Sequence, residues 1–477
     1  MNNNYIPTIG IEVHVELKTN TKIFSNSKNG YGQMANSLTN VVDLGYPGTL
    51  PTLNEKVIEL AIKAATVLNC KIRRQMHFDR KNYFYPDNPK NYQITQAETP
   101  IGYDGYVEID LDGEKKKIYI EEMHIEEDTC KSTHKSGKTY LDFNRAGVPL
   151  IEIVTKPCIS SPLEAKLYLE KLKELLFYTD VSDCKMEEGS MRADANISLR
   201  KNESDPLGTK VEIKNIGSIS NVKLSLEKEW ERQTKMLDNN EYFKEQTRRF
   251  DDKKNDTVLM RVKETGNDYR YFPEPDIPFV YITDEMIENA KKKIPMLPDE
   301  RKKVYIEKNI PEVNAKKLVE HRELSDFLNS LLDKNVDFVV ACNLLLGDIS
   351  AYLNKEEKKL SETTLTKEKF IELVNKVSSK EISSKNVKDI LKDVLETELS
   401  IKEIISKSGI KNISDDETIN KIIDKIIENN QESVKDYKDG KDRAIKYLMG
   451  QVMKETKGSV NPEKAMNLLK VKLQSIW

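Results

Sequence analysis

At 477 residues, with 38% hydrophobic and 32% charged residues, the chain is too long for one ordinary domain and too polar to be buried throughout. Its 76 basic and 79 acidic residues nearly cancel, leaving a formal net charge of -3, so bulk charge neither requires nor excludes a nucleic-acid partner. No stretch reaches the ~20 apolar residues of a membrane span, and the five scattered cysteines (Cys70, Cys130, Cys158, Cys184, Cys342) lack the spacing of a zinc knuckle or a redox pair.

Reduced thiols and the absence of a signal-peptide pattern at the start lead to the expectation of a cytoplasmic protein with no membrane partner. The first element is Ile9 to Leu17, which alternates strictly and reads as a half-buried strand. Period two puts Glu12, His14 and Glu16 on one face and Ile11, Val13, Val15 and Leu17 on the other. Two carboxylates and an imidazole in a row suit a metal, and a solvated edge-strand face has the same pattern. Arg80 to Asp87 then mixes aromatic rings with Arg80 and Lys81. Such mixing suits nucleotide bases or RNA ends, as well as an aromatic core with snorkelling cations.

Tyr106 to Asp110 and Lys117 to Ile120 read as a hairpin across Leu111-Asp112-Gly113-Glu114. His124-Ile125-Glu126-Glu127-Asp128 follows, and alternation alone leaves open whether Glu126 or Glu127 faces inward. In Gly147 to Val154, Glu152 is the only charge in an apolar strand. A buried carboxylate costs several kcal/mol unless paired, so Glu152 needs a partner, either a structural salt bridge, for example to Arg145, or a cation. Ser161 to Phe177 has helical spacing, with Leu163, Leu167, Leu169, Leu172, Leu175 and Leu176 as its apolar set and Ser161-Pro162 as cap and first turn.

Met191 to Arg200 alternates again, with Arg192, Asp194, Asn196, Ser198 and Arg200 on one face, and Glu212 and Lys214 share a face of the next strand. Carboxylates and cations on a common polar face are what a divalent cation with bound phosphates demands. Asp268 to Asp276 is a second aromatic-basic segment. From Leu297-Pro298 onward helical periodicity dominates, so the expected class is α+β. It comprises a mostly antiparallel cradle over 1–293, a helical domain over 294–407 and a helical tail over 408–477. No Gly-x-x-x-x-Gly-Lys-Ser/Thr loop and no Gly-Gly-Ser-Ser amidase stretch occurs.

Taken in order, Ile9 to Leu17, Tyr46 to Pro51, Arg80 to Asp87, Asn144 to Thr155, Glu188 to Arg200, Glu212 to Asn215, Asp268 to Pro278 and Gly450 to Gly458 strongly resemble the B subunits of the aspartyl/glutamyl-tRNA amidotransferases, of the bacterial or organellar type. The resemblance implies a catalytic domain distantly like that of glutamine synthetase. It also implies ATP- and Mg²⁺-dependent phosphorylation of the side-chain carboxylate of Glu-tRNA(Gln) or Asp-tRNA(Asn). Ammonia from a separate amidase (glutaminase) chain would then displace phosphate, with a small third chain completing a heterotrimer.

By motif, His14, Glu127 and Glu152 look like ligands of one magnesium ion, and Glu12 and Asp194 like the pair serving the nucleotide's metal. Lys81 looks like a phosphate or substrate contact, with Arg192 and Lys214 beside it. The cysteine pairs that bind zinc in some members are missing here, so no zinc is expected. Lys441 to Trp477, with eight Lys/Arg against three Asp/Glu, suits an RNA backbone or a solvated helical face. A free-standing ligase of small substrates and a non-catalytic tRNA scaffold are the rival readings.

Overall fold

The computed structural model describes residues 4–262, 268–408, 416–438, 440–441, 443–456, 460 and 462–475. Gly409 at the expected tail boundary, and Lys457 and Gly458 of the tail motif, lie outside the described residues. The chain divides into two compact units, Met1–Leu297 and Pro298–Trp477.

Among the described residues, the first unit is built on sixteen strands. They are β1 (Ile6–Glu16), β2 (Lys71–Ile72), β3 (Gln75–Met76), β4 (Asp79–Asn82), β5 (Tyr92–Thr95), β6 (Gly102–Leu111), β7 (Glu114–Glu127) and β8 (Lys131–Lys135). There follow β9 (Lys138–Asp142), β10 (Pro149–Thr155), β11 (Met191–Arg200), β12 (Val211–Lys214), β13 (Gln246–Asp251), β14 (Asp256–Val262), β15 (Phe272–Pro273) and β16 (Val280–Tyr281). Nine of them form one sheet in the order β14-β13-β12-β11-β1-β10-β7-β6-β2. Only the β12–β13 pair in it is parallel.

Alternation decides which side of this sheet is buried. Ile9, Ile11, Val13 and Val15 of β1 are fully covered, each contributing about 2 kcal/mol. They share a core with Tyr168, Leu169, Leu172 and Leu176 of α1 (Pro162–Tyr178) and with Val222 and Leu226 of α2 (Ile219–Asp238). Ser161 caps α1 by accepting from Glu164 N, as its place before Pro162 predicts. Leu163, counted with the apolar face in the sequence, is 40% exposed, and Ala165 and Tyr168 take its place. The stripe that meets the sheet runs 165, 168, 169, 172, 175, 176, and at 3.6 residues per turn position 163 falls off it.

The expected hairpin is β6–β7, longer at both ends than the sequence indicates and turning on Asp112 (φ 54°) and Gly113 (φ 89°). Two successive left-handed residues make the tight turn that matches strand twist, and Asp-Gly adopts it readily.

The second unit is helical from Pro298–Glu307 to Pro462–Ser475 among the described residues. Tyr305, Leu328, Phe370 and Leu391 belong to one apolar cluster, and Ile423, Leu448, Val452 and Leu469 to another. No described helix is long and apolar enough to cross a membrane.

Candidate active site

The sheet's other face is polar, and strand register arranges it. His14 stands opposite Glu152 on one side and Arg192 on the other, and Glu152 stands opposite His124, so one row crosses β11, β1, β10 and β7. Glu12 stands opposite Asp194 in the next row. Cross-strand partners share a face, so side chains from four separate stretches of sequence converge.

The first cluster is His14, Glu126 and Glu152, with one potential ligand atom from each lying within 4.8 Å of the others. Glu152 Oε2 is 3.4 Å from His14 Nε2 and 3.1 Å from His124 Nε2. Arg145, considered from sequence as its partner, instead donates to the Thr129 and Cys130 carbonyls at 2.9 Å.

The resemblance groups Glu127 with His14 and Glu152, whereas the geometry brings Glu126 there. Along β7, period two puts Glu126 on the His124 side and Glu127 on the opposite side. There Glu127 accepts from Ile94 N at 2.9 Å and is bridged by Lys90. All of His124 to Asp128 is buried except for a few per cent of its surface, so this acidic run is not a solvated loop.

Burial alone would raise Glu152, but hydrogen bonds and charge from His124 and His14 hold it well below the usual carboxylate range. Burial alone would lower both imidazoles, and Glu152 outweighs it, raising each above its ordinary value. The sign of the pH dependence follows. The histidines, raised when folded, contribute stability that is complete below their unfolded value near 6.5 and lost as pH rises through the folded values. Glu152, lowered when folded, contributes stability that is complete above 4.5 and lost as pH falls through its folded value. Without divalent cations, the triad is expected to stabilise the chain most between about pH 4.5 and 6.5. Urea midpoints of the natural chain and Glu152→Gln should therefore differ most in that window and converge on both sides of it.

The second cluster is Glu12, Asp194 and Glu212, again within 4.8 Å. Asn196 Nδ2 donates to Glu12 Oε1 at 2.9 Å, and Lys214 Nζ lies 2.9 Å from Asp194 and 3.1 Å from Glu212. Burial, then the neighbouring carboxylates, raise Glu12, whereas Asp194 and Glu212 overcome burial to raise Lys214. Glu212 was legible as a polar-face residue of its strand, and only the β11–β12 pairing, with Asn196 opposite it, brings it to Glu12.

Around the clusters, Lys81 Nζ lies 3.9 Å from Glu126 Oε2. Arg192 Nη2 donates to Asp128 at 2.7 Å, while its Nε is buried without a hydrogen-bond partner. Glu16, farther along the same face, is pushed up to about 7 by burial and then by Asp128.

These donor sets fit hard divalent cations: carboxylates with one imidazole in the first, three carboxylates in the second. The buried Oε2 of Glu126 and Nδ1 of His124 have no hydrogen-bond partner. A buried carboxylate oxygen beside a second carboxylate, Glu152, suits a cation, because bringing like charges together is costly unless one neutralises them.

Comparison with known proteins gives a consistent result. The family described as the GatB/GatE catalytic domain matches residues 7–288, and that described as the GatB domain matches residues 326–473. The chain is 50% identical over 468 residues to the B subunit of the aspartyl/glutamyl-tRNA(Asn/Gln) amidotransferase of Geobacillus kaustophilus, covering 98% of each chain. It is 49% identical over 473 residues to the protein so named in Lactiplantibacillus plantarum, covering 99% of this chain and 100% of that one.

Proposed function

The chain belongs to the family of aspartyl/glutamyl-tRNA(Asn/Gln) amidotransferase B subunits, and on that premise we propose that it activates the side-chain carboxylate of Glu-tRNA(Gln), Asp-tRNA(Asn) or both with ATP, so that ammonia can amidate it. The observation that carries this reading is the pair of cation-ready clusters in adjacent rows of one sheet face.

The chemistry needs an otherwise unreactive carboxylate to gain a leaving group. Its oxygen attacks the terminal phosphorus of ATP and ADP departs. Ammonia then attacks the carbonyl carbon and phosphate leaves with the C–O bond electrons. Two magnesium ions, one held by His14, Glu126 and Glu152 and one by Glu12, Asp194 and Glu212, would draw charge from the phosphoryl oxygens. Lys81 and Arg192 orient the anionic groups, and both stay protonated because nearby carboxylates outweigh the effect of burial. Lys214 holds Asp194 and Glu212 in place as a positioning residue. An amidase chain that supplies ammonia is the partner this chemistry calls for, and the family resemblance adds a small third chain. The helical tail contributes cations for the tRNA backbone.

ADP release by the complex with its partner chains, supplied with ammonium as nitrogen donor, tests the reading. It is expected to require Glu-tRNA(Gln) or Asp-tRNA(Asn), with free glutamate and uncharged tRNA inert. Equal release with free glutamate would assign the chain to the small-substrate ligases. Amidation that proceeds undiminished when the carboxylates of both clusters are neutralised would leave it a tRNA scaffold.

A further inference from the structure

Beside the first cluster is a strip of aromatic and cationic side chains of which the chemistry above uses only Lys81. Two segments distant in sequence build it. β15 pairs with β4, with Phe272 opposite Arg80. The chain just before β15 is fastened to the end of β4: Asn82 N donates to Tyr269 O at 3.0 Å, and Asn82 Nδ2 donates to Arg270 O at 2.8 Å.

Arg270 is held at φ 46°, in the left-handed region where non-glycine residues are uncommon, and its guanidinium lies over Phe84, 5.7 Å from the ring centroid. Tyr269 meets Tyr83 edge to face at 6.5 Å and Tyr271 at 6.0 Å. Lys81 Nζ joins the strip to the cluster, 5.2 Å from the Tyr269 centroid and 3.9 Å from Glu126.

Core packing does not explain these rings. Phe84 is 72% exposed, Tyr271 47% and Phe272 44%, although the segments carrying them are anchored by the Arg80–Glu274 and Arg80–Asp276 ion pairs. Rigidly held aromatic faces open to water, interleaved with cations, have the makeup of a stacking surface for unpaired bases.

We propose that this strip, with Phe84 and Arg270 as its stacking pair, holds the unpaired 3′-terminal base of the aminoacyl-RNA. The assignment rests on the function proposed above. The amino acid is esterified to the terminal ribose, so a side-chain carboxylate at the clusters brings the terminal base to within about one nucleotide of them. Lys81, in contact with Glu126, marks that inner end. The strip is an open shelf, which suits a strand end that must continue outward into a duplex. A free nucleotide is more often enclosed.

The test uses the complex with its partner chains and measures KM for Glu-tRNA(Gln) and for ATP. Natural chain, Phe84→Ala and Phe84→Trp are each given natural tRNA and tRNA with an abasic terminal nucleotide. Phe84→Ala is expected to raise the KM for tRNA about tenfold or more, with the KM for ATP unchanged and Phe84→Trp restoring it. The abasic tRNA should cost the natural chain a similar factor and cost Phe84→Ala nothing further. A rise in the KM for ATP instead would give the strip to the nucleotide's purine and overturn the proposal. Independent, multiplying losses, or no change in either KM, would overturn it as well. Failure of the underlying function has a different outcome, in which the natural chain amidates neither Glu-tRNA(Gln) nor Asp-tRNA(Asn).

Discussion

Glu152→Gln is expected to reduce Gln-tRNA formation from Glu-tRNA(Gln), ATP, Mg²⁺ and ammonium by about 10²–10³-fold. Glutamine keeps the shape of the side chain and removes its charge. In the natural chain a single oxygen of Glu152 faces both His14 and His124, and the same carboxylate faces Glu126 across the first cluster. With a neutral amide there, the cluster loses one of its two negative charges, and both imidazoles lose the partner that holds them above their ordinary value. Supplying ammonium removes any dependence on a glutaminase partner, so the loss reports on activation at this chain. The variant should still fold, losing about 1–3 kcal/mol, and circular dichroism with a urea titration separates that cost from the catalytic one. Equal product from the two proteins would make Glu152 structural.

The second large effect separates two adjacent residues. Glu126→Gln is expected to raise the Mg²⁺ concentration for half-maximal activity by roughly tenfold or more, because Glu126 offers a carboxylate oxygen to the first cluster and its buried Oε2 has no hydrogen-bond partner. Glu127→Gln should leave that concentration unchanged and lower stability by about 3 kcal/mol. It leaves Lys90, 14% exposed, without its carboxylate partner and weakens the bond from Ile94 N. Magnesium titrations of activity, paired with urea unfolding, distinguish the two. The opposite pattern, with Glu127→Gln shifting the Mg²⁺ requirement and Glu126→Gln only destabilising, would remove Glu126 from the site.

Much of the site was legible because β-strands expose their faces locally. Glu12, His14, Arg192, Asp194, Glu212 and Lys214 could each be assigned to a polar face by period two alone, and the structure puts all six on one sheet face. Glu152 stood out as a lone charge in an apolar run, and its need for a partner was correct while Arg145 was not that partner. Glu126 and His124 were in view without an assignment. Parity links them, but nothing local says which side of β7 faces the clusters, since every residue from His124 to Asp128 is buried.

The sequence by itself determined the family, the α+β class, the hairpin at Asp112-Gly113, the cap at Ser161 and, outside the run from His124 to Asp128, which polar residues of a strand share a face. These depend on period, turn chemistry and motif, which act within a few residues of chain. The tertiary structure alone decided which residues meet. Strand order and register bring His14 to Glu152, Glu152 to His124, and Glu212 to Glu12, and they send Glu127 to Lys90. Register is set by packing the opposite, apolar face of the sheet against α1 and α2, where a slip of one residue would expose the core of a whole strand. The polar clusters are thus positioned by hydrophobic contacts on the far side of the sheet.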